Sequence, residues 1–377
     1  MNNVFNDYYF YNWYYDIEYD FDTNNIKENH LNNDININLN NFENSMGNII
    51  NCFKKNNILV GLNNLGSTCF MNSVIQALNN INEFSDEIYS LNIERNNSPI
   101  AKALKEVFYN LRKPENNYHS YSPIQFYNTI CKYNPKFNEK KPNDSRQLLQ
   151  YILDSIHNEL NINKNNKYMK EDISTNWNEK LEYEINSFNY ENQSIISDLF
   201  YGILANETIC KNCNKISYEF QHFNILTLPI ITKDNSQINI KDMIDDYTRE
   251  HSLTKKSNYC LICRDYSEAK STNVFYKLPI ILIIYPGRKN YGVKYNININ
   301  FEKELNIRVN NKLENKIISY NLIAIIYHLG SCGEKGHNIA LCKKNDVWYM
   351  FNDSEISIIN ISKISGEGIL LLIYQQK

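Results

Sequence analysis

The sequence predicts a fold of the mixed α/β (α+β) class, because it combines two helical patterns with one strand pattern. Apolar residues recur at three- and four-residue spacing after Cys69 and again between Asn143 and His157, which is the period of an amphipathic helix. Near the other end of the chain, short apolar runs flank a polar tip at 344–346, as in a β-hairpin. We therefore expect a body built from both helices and strands.

The first 58 residues differ in composition from the rest. They contain 18 Asn, six Tyr fall within the first 19 positions, and their net charge is −5 against +2 for the remainder. Acidic, Asn-rich sequence buries too little apolar surface to offset its ordering entropy, so we predict a disordered tail over 1–58. The alternative is a docking motif or strand formed by the aromatic cluster Tyr8 to Tyr19. A short ordered element is expected near Asn48 to Phe53.

Cys69 lies in the first turn of the first predicted helix. The apolar residues that define the helix are Phe70, Val74, Ile75, Ala77 and Leu78. Exposed amides and the positive end of the helix dipole stabilise a thiolate there, and the thiolate is the nucleophilic form of cysteine. A lone cysteine is more often a buried core residue, so on the residues alone both readings stay open.

Four further cysteines form two C-x2-C knuckles, separated by 46 residues. They are Cys210, Cys213, Cys260 and Cys263. Four thiolates would close the tetrahedral coordination sphere of a zinc ion, which makes such a site structural. Disulfides or independent core thiols are the alternatives. A disulfide framework requires an oxidising compartment, whereas the N-terminus lacks an export pattern and the nine cysteines are an odd number, so we expect a reducing cytoplasm or nucleus.

The predicted hairpin carries a histidine and two candidate partners. If its tip is centred near Asn345, paired positions sum to about 690, and His337 falls opposite Asn352 or Asp353. A carboxamide or carboxylate at that place would hold one ring nitrogen while the other faces a thiol. A histidine on a hairpin is more often a plain surface or packing residue, so this pattern alone does not establish a role.

Charge and hydropathy exclude two classes of partner. The net charge is −3 without a basic stripe, so we expect no nucleic acid partner. No run of 18 apolar residues exists, and Pro279 to Tyr285 is too short to span a bilayer, so we expect no membrane partner. Residues 59–377 are long enough to bury roughly three quarters of their surface, which favours one region with several lobes over separate domains.

Two long motifs in the sequence resemble motifs of a known protein family. Gly61 to Leu78, with its Leu-Gly-Ser-Thr-Cys-Phe-Met-Asn-Ser core, resembles the cysteine box of the ubiquitin-specific protease family, and Tyr327 to Ser357 resembles its histidine box. The two boxes stand in the family's order, about 270 residues apart. The segment from Ser197 to Ile230 is similar to the one that leads into the family's fingers, and Gly368 to Tyr374 is similar to its closing strand. The resemblance covers roughly residues 59–377.

This resemblance implies a papain-like cysteine protease core. A helical thumb would carry Cys69, a β-rich palm would carry His337, and a zinc-ribbon fingers insertion would include about residues 200–275. By the same likeness Cys69 is the nucleophile, His337 the general base and Asn352 the third triad member, with Asp353 as the alternative. Asn64 matches the residue whose side-chain amide donates to the oxyanion, and the four knuckle cysteines match zinc ligands at the tip of the fingers.

The helix between Asn143 and His157 has core packing as its plain explanation, and it also looks like the family's helix beside the substrate tail. Asp144 matches an aspartate that contacts the tail, whereas Gln147 stands where the family commonly has Glu. Asn338 replaces the aromatic residue that commonly follows the histidine, and Glu334-Lys335 interrupts the usual glycine-rich approach. These departures put substrate affinity and range in doubt rather than the triad.

The function implied is that of a cysteine-type deubiquitinase, which hydrolyses the isopeptide or peptide bond after the C-terminal glycine of ubiquitin through a thioester intermediate. Its partners would be ubiquitin and ubiquitinated proteins, and we expect a monomer with structural zinc. The alternatives are a catalytically weak or silent ubiquitin-binding scaffold, a protein whose zinc ribbon is the functional part, and a protease for another ubiquitin-like modifier.

Overall fold

The computed structural model describes most of the chain beyond its first 58 residues. The described residues are 59–92, 98–112, 119–138, 143–168, 177–230, 237–287, 289–290, 293–294, 297–310, 315–330 and 336–377. The predicted tail over 1–58 lies outside them, together with its Tyr8 to Tyr19 cluster and the element expected near Asn48 to Phe53. Glu334-Lys335 also lies outside the described residues.

Eight α-helices occur within the described part of the chain. They are α1 (Cys69–Asn79), α2 (Asn82–Ser90), α3 (Pro99–Arg112), α4 (Ile124–Tyr133), α5 (Ser145–Leu160), α6 (Trp177–Glu191), α7 (Ile195–Phe200) and α8 (Ile240–Tyr247). The two helices expected from apolar periodicity correspond to α1 and α5. Of the helices described here, none is both long enough and apolar enough to cross a lipid bilayer.

The strands form one large sheet, one smaller sheet and several two-stranded pairs. They are β1 (Gly61–Leu62), β2 (Ser120–Tyr121), β3 (Gly202–Cys210), β4 (Ile216–Phe223), β5 (Leu226–Pro229), β6 (Gln237–Asn239), β7 (His251–Leu253), β8 (Tyr259–Cys260), β9 (Asp265–Tyr266), β10 (Ala269–Lys277), β11 (Ile281–Gly287), β12 (Lys289–Asn290), β13 (Val293–Lys294), β14 (Asn298–Asn300), β15 (Glu304–Asn310), β16 (Asn315–Leu329), β17 (His337–Lys344), β18 (Val347–Asn352), β19 (Glu355–Ile359) and β20 (Ile369–Gln376). The mixed fold class predicted from the sequence is confirmed.

The large sheet has the strand order β19-β18-β17-β16-β20-β11-β5, and β15 also pairs with β16. Side chains alternate across it, as the geometry of a strand requires. On β17, Ala340 and Cys342 belong to the apolar cluster shared with the helices, whereas Ile339 and Leu341 belong to the cluster on the opposite face. The sheet is therefore buried on both faces around β17.

Helix α1 is enclosed on all sides. Every one of its 11 residues is buried, because the helix packs against β17 of the large sheet and against α5. Such complete burial fixes the direction of the helix and the place of its first residue. Cys69 is that first residue, so the helix start predicted from the sequence is also the observed one.

The smaller sheet has the order β4-β3-β10-β7, and we call these four strands with the β8-β9 pair the fingers sheet. It carries both cysteine knuckles. Two strands within the predicted fingers segment, 200–275, pair outside this sheet. Strand β6, Gln237–Asn239, pairs in parallel with β14. Strand β5, Leu226–Pro229, lies within that segment but pairs in parallel with β11 of the large sheet.

Two backbone contacts join the segment before α1 to the turn after β18. The Leu62 amide donates to the Asp353 carbonyl oxygen over 2.8 Å. A Cβ added at Gly61 would collide with the backbone of Ser354, so the close approach of these two segments requires glycine. These contacts bring parts of the chain about 290 positions apart to the same place.

Candidate active site

Two side chains order the loop that precedes Cys69, and one of them is Thr68, whose Oγ1 atom accepts from the Leu65 amide over 2.8 Å. The Asn64 Oδ1 atom accepts hydrogen bonds from the backbone amides of Gly66, at 3.0 Å, and Thr68, at 3.1 Å. Gly66 and Ser67 have positive φ angles of 98° and 57°, which gives the loop its sharp turn into α1. After this turn, Cys69 occupies the first position of the helix, where the helix dipole favours a thiolate.

His337, the first residue of β17, lies beside this thiol. Burial raises the pKa of the Cys69 thiol, but hydrogen bonds from His337 and from the backbone of Asn338 outweigh that effect, so the pKa is lowered overall. The hydrogen bond with Cys69 raises the pKa of His337 to about 9; burial opposes this shift, and Asn352 and the charges of Cys69 and Asp353 support it. Opposite shifts of this kind favour a thiolate and imidazolium pair at neutral pH.

The Asn352 carboxamide is the second contact of the imidazole. Its Oδ1 atom lies 2.6 Å from His337 Nε2, so the ring donates its Nε2 proton and leaves Nδ1 for the thiol. The structure thus brings Cys69, His337 and Asn352 together in one series. Asn352 orients the ring without adding a charge.

The hairpin register differs by one position from the expectation. In the observed hairpin, the residue numbers of two paired positions sum to 691 instead of about 690. The reason is that the tip is a turn of two residues, Asn345 and Asp346, which both have positive φ. One step beyond the observed pairs, Asn352 falls opposite Ile339 rather than opposite His337. His337 is its diagonal neighbour on the same face, a separation that long side chains bridge.

Asp353 also approaches the imidazole, which corrects the expectation that only one of the two neighbouring residues would meet His337. Its Oδ2 atom lies 3.7 Å from His337 Nε2. The expectation assumed regular strand alternation, but β18 ends at Asn352 and Asp353 adopts a left-handed conformation with φ of 53°. The turn rotates the carboxylate back toward the site.

The Asn64 amide nitrogen, predicted to donate to the oxyanion, is held by this carboxylate. Asn64 Nδ2 donates to Asp353 Oδ2 over 2.9 Å. Because an amide nitrogen carries two hydrogens, the bond to Asp353 uses one N–H of Asn64 and leaves the second for another acceptor. The geometry is therefore compatible with an oxyanion role for Asn64.

Asn72 is a site residue that the sequence reasoning missed. Its Nδ2 atom donates to Asp353 Oδ1 over 2.8 Å, and it lies 3.3 Å from the carbonyl oxygens of Leu62 and Asn63. The available signal was a polar residue at a position of α1 that is enclosed by apolar neighbours. A buried polar side chain requires a partner, and here the partner is the carboxylate beside the base.

The two predicted tail-contact residues lie at the start of α5. Asp144 caps this helix, with Oδ1 accepting from the Arg146 amide over 2.8 Å. Gln147, in the first turn, is partly exposed. Ser145 lies between α5 and α1, 3.3 Å from the Phe70 carbonyl oxygen. The first turn of α5 is therefore close to Phe70, which follows Cys69 in the chain.

The four knuckle cysteines converge at one end of the fingers sheet. Their sulfur atoms all lie within 4.8 Å of one another, with 3.9 Å between Cys210 and Cys263 and 3.7 Å between Cys213 and Cys260. A tetrahedral zinc with bonds of about 2.3 Å separates its sulfur ligands by roughly 3.8 Å, so the donor set and spacing fit zinc. These cysteines are free rather than disulfide-bonded.

Each knuckle turns at the residue after its second cysteine. Asn214 and Arg264 occupy equivalent places and have φ angles of 56° and 53°. The Cys263 amide points at the Cys260 sulfur over 3.4 Å, as an amide does toward a metal-bound thiolate. The two knuckles thus have the same turn geometry around one cluster of four thiols that could hold a metal ion.

Comparison with known proteins agrees with this geometry. A family model described as ubiquitin carboxyl-terminal hydrolase matches residues 60–374. The chain is 28% identical over 342 residues to ubiquitin carboxyl-terminal hydrolase 2 of Bos taurus and of Homo sapiens, covering 84% of this chain and 55% of each relative. It is 26% identical over 334 residues to ubiquitin carboxyl-terminal hydrolase Usp2 of Drosophila melanogaster, covering 86% of this chain and 35% of that relative. The chain thus spans about half, or less, of the length of these curated relatives.

The fold is also that of solved structures. One is the SAGA Ubp8/Sgf11/Sus1/Sgf73 DUB module bound to ubiquitin aldehyde, with a TM-score of 0.67 and 23% identity over 91% of this chain and 76% of that chain. A second structure of that module, bound to monoubiquitin, gives a TM-score of 0.66 and 24% identity over the same shares. At this level of identity the likeness establishes the fold.

Proposed function

The chain belongs to the ubiquitin carboxyl-terminal hydrolase family, and from this premise we propose that it is a cysteine-type deubiquitinase. It hydrolyses the isopeptide or peptide bond after the C-terminal glycine of ubiquitin. The observation that carries the proposal is the hydrogen-bonded series from Cys69 through His337 to Asn352, placed at a helix start. A silent scaffold has no need for a thiol of lowered pKa beside a base of raised pKa.

The reaction has two halves. The Cys69 thiolate attacks the carbonyl carbon, and the oxyanion that forms faces the free N–H of Asn64. The carbon–nitrogen bond then breaks as His337 gives its proton to the leaving amine, and ubiquitin remains bound as a thioester. His337 next takes a proton from water, whose oxygen attacks the thioester. The carbon–sulfur bond breaks, which releases the ubiquitin carboxylate and restores the thiolate.

The fingers sheet has a structural role in this proposal. Cys210, Cys213, Cys260 and Cys263 would hold one zinc ion, which supplies rigidity rather than chemistry because four thiolates leave no open coordination position. Cys210 ends β3 and Cys260 ends β8, so the ion would tie the two knuckles of the fingers sheet together. Four thiolate ligands and a free nucleophile require a reducing compartment, so the proposal places the protein in the cytoplasm or nucleus.

Ubiquitin is the proposed partner, and we treat the enzyme as a monomer. Support comes from the family and from the solved structures of similar fold, which were obtained with ubiquitin aldehyde and monoubiquitin. Residues 59–377 form the catalytic domain in this proposal, and the segment 1–58 is dispensable for the chemistry. Asp144 and Gln147 would contact the substrate tail, since α5 begins beside α1.

A fluorogenic ubiquitin C-terminal substrate tests the activity. We expect turnover by the full chain, loss of turnover in Cys69→Ala, and ordinary turnover in Cys131→Ser, a control at a partly buried cysteine of α4. Ubiquitin binding without turnover would identify a scaffold instead. Reaction with a panel of ubiquitin-like suicide probes separates ubiquitin from other modifiers.

Mass spectrometry of the probe adduct tests the identity of the nucleophile. We expect the adduct on Cys69. Cys342 is the useful comparison, because burial raises the pKa of its thiol to about 12, which keeps it protonated and unreactive. An adduct on Cys342 would overturn the assignment.

A further inference from the structure

Asn338 follows His337 directly, and both its side chain and the Cys69 thiol are buried. Its side chain is 6% exposed, and Nδ2 lies 3.9 Å from Cys69 Sγ. Residues 338, 340 and 342 share the face of β17 that meets α1, as shown by the Cys342 sulfur, 3.7 Å from the Gln76 carbonyl oxygen. The strand therefore aims the Asn338 amide at the start of α1.

The oxygen atom of the Asn338 side-chain amide has an unusual environment. Asn338 Oδ1 is buried and has no hydrogen-bond partner among the described residues. A buried unpaired carbonyl destabilises a protein, and an apolar residue at this place would avoid that penalty. The Asn338 side chain therefore requires a favourable interaction at its Nδ2 atom that offsets the cost of the unpaired Oδ1 atom. The one polar atom in reach of Nδ2 that the structure records is the Cys69 sulfur.

A thiolate provides that compensation. Hydrogen bonds to an ionised acceptor are roughly twice as strong as neutral ones, so Asn338 gains far more from a thiolate than from a thiol. We propose that the Asn338 side-chain amide donates a hydrogen bond to the Cys69 thiolate in the resting enzyme and stabilises its negative charge alongside His337. This rests on the proposed function, in which Cys69 is the nucleophile.

The two donors differ in one chemical respect. His337 loses its stabilising charge when it is deprotonated, whereas the Asn338 amide does not titrate. Among the described residues, the titratable groups around the thiol are His337 on β17 and, behind it, Asp353 after β18. Burial raises the pKa of Cys69, whereas the hydrogen bond and charge of His337, the Asn338 backbone and finally the Asn338 side chain lower it. Asn338 would therefore continue to stabilise the Cys69 thiolate after His337 has lost its proton.

The pH dependence of Cys69 alkylation by iodoacetamide, followed on the Cys69 peptide by mass spectrometry, tests this inference in the full chain without ubiquitin. We expect Asn338→Leu to raise the alkylation midpoint by about 0.5 to 1 pH unit, because one charge-assisted donor is lost. Asn338→Asp has the same shape but places a carboxylate beside the sulfur, so it should raise the midpoint further than Asn338→Leu.

Asn79→Leu is the matched control. Asn79 is 7% exposed, lies on α1 and also has a buried Oδ1 without a partner among the described residues, but it is two turns of helix and more from Cys69. Its substitution should leave the midpoint unchanged. A midpoint in Asn338→Leu equal to the unmodified protein, or a midpoint in Asn338→Asp no higher than in Asn338→Leu, would overturn the proposal.

Two results separate this inference from the proposed function. If the chain fails to turn over ubiquitin substrates while the alkylation midpoint rises in the Asn338 variants, the hydrogen bond stands and the deubiquitinase proposal fails. If turnover depends on Cys69 while the Asn338 variants leave the midpoint unchanged, the reverse holds. Circular dichroism of each variant identifies any that do not fold. If Asn338→Leu does not fold, Asn338→Asp is compared with the unmodified protein, and an equal midpoint overturns the proposal.

Discussion

The Asn64 side-chain amide donates to the Asp353 carboxylate over 2.9 Å, so the candidate oxyanion residue and the neighbour of the candidate triad asparagine are bound to each other. The same carboxylate accepts from Asn72 on α1 over 2.8 Å and lies 3.7 Å from the His337 ring. One side chain thus connects the loop before Cys69, helix α1 and the His337 ring. The predictions below begin with this carboxylate.

Replacement of Asp353 by Ala should lower kcat by about 10²-fold, because the Asn64 amide loses the partner that holds it toward the oxyanion. The Asp353→Asn variant should lose less, since one of its two terminal atoms still accepts a hydrogen bond. Steady-state kinetics on the fluorogenic substrate measure both. Glu355→Ala is the control, because it removes an exposed carboxylate two residues further along. Equal effects of Asp353→Ala and Glu355→Ala would show that the carboxylate does not organise the site.

Asn352→Ala should lower kcat by roughly tenfold or more, because the His337 ring loses the oxygen that fixes its Nε2 proton. The Asn352→Asp variant should keep its activity. The new carboxylate would favour the imidazolium, so the alkaline limb of its pH profile should move upward. A silent Asn352→Ala together with an inactive Asp353→Ala would make Asp353 the third triad member.

The pH profile of kcat/KM should be bell-shaped. As pH falls below the lowered pKa of Cys69, the thiolate gains a proton and activity declines. Because the hydrogen bond with Cys69 raises the pKa of His337 to about 9, the imidazolium that protonates the leaving amine is lost as pH rises through that value. Because Cys69 and His337 titrate as a coupled pair, the two limbs of the profile report on the pair rather than on either residue alone. A profile still rising above pH 9 would contradict the raised pKa of His337.

Loss of a knuckle thiolate should unfold the fingers before it affects the triad. Elemental analysis should give one zinc per chain, and Cys210→Ser or Cys263→Ser should reduce that amount and weaken ubiquitin binding. Structural zinc contributes about 10 kcal/mol or more of apparent binding energy, so one missing ligand is a large loss. Cys131→Ser serves as the control because Cys131 lies on α4, outside the cluster. A metal-free protein with full activity and unchanged melting temperature would refute the zinc site.

Gln147→Glu should increase kcat/KM on ubiquitin by about 5- to 30-fold, mainly through KM. A carboxylate in the first turn of α5 adds a charge-assisted bond to a substrate arginine, worth about 1 to 2 kcal/mol beyond a neutral bond. Gln125→Glu is the matched control, because Gln125 is an exposed glutamine on α4. The same gain in both variants would indicate a general charge effect rather than contact with the substrate tail.

The positions of Cys69 and His337 could be predicted because each depends on a local pattern. The apolar spacing after Cys69 predicts a helix with a definite start, and strand alternation around a polar tip predicts the hairpin. The one-position error in register came from the tip, where Asn345 and Asp346 together form the turn. Counting from a single central residue misses a turn of two residues, which is a property of backbone geometry rather than of composition.

The contacts of Asn72 and Asn338, and the approach of Asp353 to His337 in addition to Asn352, could not be predicted in the same way. Asp353 contacts His337 because its backbone adopts positive φ, which no alternation rule includes. Asn72 and Asn338 are both buried, and their partners lie 281 and 269 positions away in the chain. Contacts over such distances depend on how the lobes pack together, and an amphipathic pattern contains no information about that.

The separation of about 270 residues between Cys69 and His337 has a consequence for the folding of the chain. Contacts that close long loops form late, because their loop entropy is lost before they are stabilised. Until β17 docks on α1, the Cys69 thiol has no base beside it and keeps the low reactivity of an ordinary cysteine. We therefore expect thiol reactivity to recover during refolding only when β17 docks on α1.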